Sequence, residues 1–252
     1  MKPNRKRIAR LFLREDLNNN LVDLNNRHAH YLQHVLRLRT GDSVVLFNGL
    51  GDERHALIDM LARTHGRLNI TGVIEPLSES PLKLTLVQAV AKADAMDLIV
   101  QKSTELGVHT IYPVLTDFSV IKLDDSRVSR RTEHWRKISQ GACEQSGRHY
   151  PPTIHPPQRL SDGLANIASE AVRVTLHPGA TNTLHDIFQD VGSISQLCLL
   201  TGPEGGLSET ELKQADESGF QKISLGPRVL RAETATLAAC TLAQALWGDL
   251  IT

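Results

Sequence analysis

An α/β fold on a mostly parallel sheet, preceded by a small β-rich segment, is predicted by three features of this sequence. Up to about residue 74, short β-like runs are separated by glycines and interrupted by one helix. Beyond Pro81, strand-like and helix-like runs alternate, the pattern of an α/β sheet. Between them, Glu75-Pro76-Leu77-Ser78-Glu79-Ser80-Pro81 has two prolines and two further breakers, so it can continue neither element and reads as a linker.

Taken in order, the first segment contains β runs at 43–47, 56–61 and 68–74, with Asn48-Gly49 and Gly72 as punctuation, and a helix over 28–38. Several short strands with turns between them predict a small barrel or sandwich. In the second segment, Leu82, Leu84 and Leu86 alternate with Lys83, Thr85 and Val87, and a helix over 94–106 ends at Gly107. A strand at 111–115 is followed by a helix over 129–146, with Trp135, Ile138 and Ala142 on one side. Compact strands follow at 172–176 and 197–200. Ser208-x-x-Glu211 is a capping box that opens the next helix. The segment closes with a strand at 223–225 and an Ala/Leu-rich helix over 232–247.

At 252 residues, the chain has room for one large domain or two modest ones, and the breaks predict domains at 1–75 and 80–252. Hydrophobic content of 40% and charged content of 22% are ordinary for globular chains, and no apolar run approaches the roughly 20 residues that span a bilayer. The basic start leads into Arg10-Leu11-Phe12-Leu13-Arg14-Glu15, which lacks the apolar core of a signal peptide, so a cytoplasmic location and no membrane partner are expected. Cys143, Cys198 and Cys240 are far apart and form no metal-ligand spacing, and they are read as buried thiols. His28, His30 and His34 fall in a helix that is read as solvated or partly packed, so no metal is expected.

The formal charge is zero, with 28 Lys+Arg against 28 Asp+Glu, but it is unevenly spread. Residues 1–80 carry 12 basic and 9 acidic side chains, and six of the basic ones lie within the first fourteen positions. That stretch reads either as a contact for phosphate backbones or as a solvated terminus.

The candidate site is a pair of glycine-bearing segments, Thr201-Gly202-Pro203-Glu204-Gly205-Gly206-Leu207-Ser208 and Leu225-Gly226-Pro227-Arg228-Val229-Leu230-Arg231-Ala232-Glu233-Thr234. Each follows an apolar run and opens a helix, where glycine permits positive φ and close approach of the backbone to a ligand. Neither contains a phosphate-loop or dinucleotide pattern. Glu204 and Glu233 would repel a phosphate and tolerate a cationic ligand, so the sulfonium of S-adenosylmethionine suits the site better than ATP or NAD. Glu204 also reads as a charge complementing a helix N-terminus.

These segments closely resemble the RsmE family of 16S ribosomal RNA uridine-N3 methyltransferases. Further matches run over almost the whole chain. They include Met96-Asp97, Gln101-Lys102-Ser103-Thr104-Glu105-Leu106-Gly107-Val108, Trp135-Arg136-Lys137-Ile138, Ala142-Cys143-Glu144-Gln145-Ser146-Gly147-Arg148, Leu176-His177-Pro178 and His34-Val35-Leu36-Arg37. The sequence departs from commoner forms at Ala95, Leu207, Pro227 and Val229; Ala95 puts one RNA contact in doubt.

The resemblance implies a SPOUT-type sheet with a C-terminal trefoil knot, an N-terminal PUA-like β-barrel that binds RNA, and a homodimer. It also implies S-adenosylmethionine as cofactor and 16S rRNA in the 30S ribosomal subunit as partner. The cofactor role passes to Leu176, Leu200, Thr201, Gly202, Glu204, Gly205, Gly206, Leu225, Gly226 and Leu230. Catalytic roles pass to Arg231, which would orient the uracil or a flanking phosphate, and to Glu233 as base with Glu204 second. Arg7, Arg10, Arg37, Lys102 and Arg148 are the expected RNA contacts. Two other readings are a non-catalytic RNA-binding or ribosome-assembly protein and an enzyme using a phosphate cofactor; intact glycine loops weigh against the first and missing phosphate loops against the second. Arg231 and Glu233 could alternatively form an ion pair that fixes the loop.

Overall fold

The structure is a computed structural model, which describes residues 8–75, 77–119 and 125–251; the side chains of residues 125 and 126 are not described. Two compact units emerge: Met1–Ser78 with Cys143–Tyr150, and Glu79–Ala142 with Pro151–Thr252.

The first unit contains β1 (Ala9–Phe12), β2 (Leu21–Leu24), α1 (Asn26–His30), β3 (Ser43–Phe47), β4 (Glu53–Leu61) and β5 (Gly66–Val73). They form a five-stranded sheet in the order β1-β3-β4-β5-β2. Leu11, Val44, Leu46, Ala56, Ile58 and Leu68 fill its core with Leu32. The helix expected over 28–38 starts at Asn26, where the Asn25 side chain accepts from the His28 N–H, and changes into a π-helical turn at Tyr31–Val35. Arg37 then adopts a φ of 55°, uncommon for a residue with a Cβ.

Arg10 is an interior residue here. Its guanidinium pairs with Glu53, donates to the Arg148 carbonyl at 3.2 Å and lies 4.7 Å from the Phe47 ring centroid. The two side chains are 13% and 4% exposed. Removing one partner strands the other charge, so Arg10→Ala is expected to lower stability by about 3–5 kcal/mol in urea unfolding, the usual cost of breaking a buried pair.

Glu144 also belongs to this unit: one carboxylate oxygen accepts the Phe12 N–H at 2.9 Å and the other the Tyr31 hydroxyl at 3.2 Å. Burial raises its pKa, against the lowering effect of these bonds and of Arg27 and Arg10. Burial and the neighbouring Glu144 charge push the Tyr31 phenol up to about 12. A carboxyl that holds its proton more tightly when folded contributes stability at acid pH, and that contribution fades as pH rises from the ordinary Glu range through the raised value. Glu144→Gln is therefore expected to gain stability relative to the parent as pH rises above the ordinary Glu range in urea titrations. A gain on acidification would contradict this.

The second unit contains β6 (Lys83–Ala89), α2 (Ala93–Glu105), β7 (Val108–Leu115), α3 (Asp125–Ser146) up to Ala142, β8 (Thr153–Ile154), β9 (Gln158–Arg159), α4 (Leu160–Ala165), β10 (Val172–Leu176), α5 (Leu184–Val191), β11 (Gln196–Thr201), α6 (Glu209–Glu217), β12 (Gln221–Ile223) and α7 (Ala232–Trp247). Its sheet runs β12-β10-β11-β6-β7-β8, with β9 also on β7, and every pairing is parallel. The central strands are apolar on both faces because both are covered. Leu84, Leu86, Leu197 and Leu199 join one core with Met96, Ala239 and Trp247. Val87, Ala89, Cys198 and Leu200 join the other with Leu160, Ala215 and Phe220. Ser208 and Glu211 form the capping box of α6, and Thr183 with Asp186 forms another at α5. All three cysteines are buried. No helix among the described residues is long and apolar enough to cross a membrane, and no three described His, Cys, Asp or Glu residues gather as metal ligands.

Candidate active site

In open parallel sheets, loops at the carboxyl ends of neighbouring strands converge on one crevice. Here the segments after β6, β10 and β11 and before α7 line a cavity of about 860 Å³. Its wall includes Leu176 at the end of β10, Thr201 at the end of β11, and Gly202, Glu204, Gly205 and Gly206 in the loop that follows. Leu230, Arg231 and Glu233 close it from the start of α7.

The glycine loop is tightly folded. A Cβ at Gly202 would lie 3.0 Å from the Gly206 carbonyl carbon and 3.2 Å from the Leu207 nitrogen, so a side chain there would crowd the turn's own backbone. In the second segment Gly226 has φ +86°, a conformation that favours glycine. Beneath the wall, the buried Gln88 carboxamide oxygen accepts from the Thr201 hydroxyl at 2.6 Å and the Thr236 hydroxyl at 2.9 Å. This cluster ties the end of β11 to the first turns of α7, satisfying polar groups that would otherwise be orphaned.

The two carboxylates differ. Glu204 is exposed, and one of its oxygens accepts the Lys92 N–H at 3.2 Å, bracing the start of α2. Glu233 is half-buried in the first turn of α7. Among the described residues Arg231 and Glu233 form no ion pair with each other. The lining holds two fixed cations, Lys92 and Arg231, against three acids, Asp94, Glu204 and Glu233, a balance of one negative charge.

Leu200 is fully buried in the core behind the wall, Leu225 packs against the other core, and neither Leu225 nor Gly226 lines the cavity. Lys92, Asp94, His177 and Val229 line it without having been singled out for that role. The signal for Lys92 and His177 was their place just past the ends of strands β6 and β10.

Of the expected RNA contacts, Arg7 lies outside the described residues. Arg10 is half-buried against the buried Glu53, as above. Arg37 is exposed. Lys102 pairs with Glu105 at 2.8 Å on α2, and Arg148 is half-buried in the first unit.

Comparison with known proteins gives one consistent result. Residues 78–244 match the family model described as an RNA methyltransferase domain, and residues 24–62 match an RNA methyltransferase PUA domain. The ribosomal RNA small subunit methyltransferase E of Buchnera aphidicola from Schizaphis graminum is 31% identical over 98% of this chain and 99% of its own length. A crystal structure of the same enzyme from Neisseria gonorrhoeae, bound to S-adenosyl methionine, superposes with a TM-score of 0.89 at 36% identity, covering 97% of this chain and all of that one. A putative methyltransferase from Legionella pneumophila, in complex with the same cofactor, gives 0.90 at 35% identity over 97% of this chain and all of that one.

Proposed function

Because the chain belongs to the RNA methyltransferase family, whose model spans residues 78–244, we propose that it methylates N3 of a uridine in 16S rRNA using S-adenosylmethionine. The observation that carries this reading is the single cavity that joins the glycine loop to Arg231 and Glu233. A Cβ at Gly202 would crowd the backbone of Gly206 and Leu207, and the excess of acids over cations favours a sulfonium over a phosphate. The bound cofactor supplies an electrophilic methyl group.

The chain's own residues then have two tasks. The imide proton on uridine N3 must leave as the nitrogen attacks, and Glu233, a half-buried carboxylate in the cavity lining, is the acceptor in this reading. Negative charge left on the uracil oxygens calls for a fixed donor, and Arg231 lines the same cavity with no ion pair to Glu233. Glu204 ranks second as base because one of its oxygens already accepts the Lys92 N–H.

The reading extends to assembly. The substrate is the 30S subunit in the cytoplasm, the first unit binds RNA, and Arg37, Lys102 and Arg148 position phosphates. Residues 1–75 and 80–252 act as the RNA-binding and methyltransferase domains. The chain works as a homodimer, a role supported by the exposed Leu98 and Leu242 on α2 and α7. The knotted threading expected for the family belongs here too, supported by two loops that converge on one cavity. A non-catalytic RNA-binding role is not favoured. Thermal melting tests the cofactor directly: Tm should rise with S-adenosylmethionine and not with ATP or NAD. A rise with the nucleotides alone would sink the reading.

A further inference from the structure

The cavity can hold a cofactor, but a target base must also be held beside it, and among the described residues no Phe, Tyr or Trp lines the wall. Proteins that grip single-stranded bases do so largely by stacking them on aromatic or guanidinium planes. One aromatic ring abuts this wall from outside. A Cβ built at Gly205 would lie 2.9 Å from Phe118 Cβ and 3.3 Å from its Cγ, so the absence of a side chain at 205 lets Phe118 rest against the loop.

Phe118 is nevertheless 52% exposed, in a chain where aromatic residues make up only 4%. An exposed ring is commonly a mobile one, but here the backbone is held. Ser119 N–H donates to the Thr116 carbonyl at 3.0 Å, closing a turn around the Phe. Asp117 N–H donates to Glu211 Oε1 at 2.8 Å, and the Ser208 hydroxyl donates to Asp117 Oδ2 at 2.6 Å. Glu211 Oε2 accepts the Ser208 N–H at 2.9 Å, so the same carboxylate caps α6 and fixes the Phe118 turn. A solvent-facing ring is thus tied to the segment that follows the cofactor loop.

We propose that Phe118 is the stacking platform for an unpaired nucleobase of the RNA substrate, held against the outer wall of the Gly202–Gly206 loop. The inference rests on the methyltransferase reading above and adds a substrate-binding residue to it. Stacking needs a π face and tolerates any base, so Phe118 contributes affinity and placement, while choice of uridine falls to groups inside the cavity.

Three variants test it. Phe118→Leu keeps the bulk against Gly205 and loses the π face; its KM for undermodified small subunits is expected to rise roughly 5- to 150-fold, the range of one lost stacking contact. Its calorimetric affinity for S-adenosylmethionine should stay within about twofold, because the loop itself is intact. Phe118→Tyr should restore KM. Phe118→Trp, read against the fluorescence of the parent, should be quenched by a short single-stranded RNA oligonucleotide. A Leu variant with unchanged KM, or a Trp variant that RNA leaves bright, would show that the ring serves only to pack on Gly205. A Leu variant that changes the sedimentation coefficient would show that a second copy of the chain covers the ring, which also overturns the proposal. If the parent binds no S-adenosylmethionine, the methyltransferase reading itself has failed, an outcome separable from all of these.

Discussion

A single methyl group at Gly202 is expected to weaken S-adenosylmethionine binding about 100-fold, within the range that an overpacking cost of roughly 1–3 kcal/mol allows. The added Cβ in Gly202→Ala would meet the Gly206 carbonyl carbon at 3.0 Å and its Cα at 3.1 Å, and both are backbone atoms in a closed turn. No rotamer change relieves such a contact, so the loop backbone itself must give by a few tenths of an ångström. That loop is the cavity wall, and the cost therefore falls on the ligand site rather than on either core. Calorimetry measures the affinity, and thermal melting without ligand checks that the chain is folded. An affinity within a few-fold of the parent would mean that the ligand does not use this wall.

Glu233→Gln should separate chemistry from binding. The substitution keeps size and hydrogen-bonding capacity and removes the proton acceptor, so turnover is expected to fall by about 10²- to 10⁴-fold, the usual contribution of general base catalysis. Cofactor affinity should change little, because Glu233 is one of three acids in the lining. Normal turnover would exclude Glu233 as the base and return attention to Glu204. Reduced affinity with normal turnover would instead assign Glu233 to holding the sulfonium charge.

What the sequence reveals most clearly is whatever a single residue type enforces locally. Positive φ at Gly206 and Gly226 and close contacts at Gly202 and Gly205 mark turns that glycine suits, and Ser208-x-x-Glu211 marks a helix start, so the loop and α6 are legible. Alternation of Leu84 and Leu86 with Lys83 and Thr85 locates β6, and the compact apolar run Leu197–Leu200 locates β11. The two four-residue strands β1 and β2 leave too short a pattern to register.

Long-range pairing is where local reading fails. Arg10 looks like a phosphate contact among neighbouring basic residues, yet its partner Glu53 is 43 positions away and draws it inside. Lys92 and His177 reach the cavity only because β6 and β10 run parallel and end at the same edge. Leu200 and Leu225 are next to the right segments in sequence but point into the packed cores behind them. The helix over residues 28–38 has the right periodicity, and its change to a π turn before Arg37 follows from no residue pattern we can identify.

The central claim is tested most directly by incubating the protein with methyl-labelled S-adenosylmethionine and small ribosomal subunits that lack modifications, then digesting the RNA to nucleosides. Label recovered as 3-methyluridine is the predicted result. Label in a different nucleoside, or no transfer by a preparation that binds the cofactor, would contradict the assignment of uridine N3 in 16S rRNA.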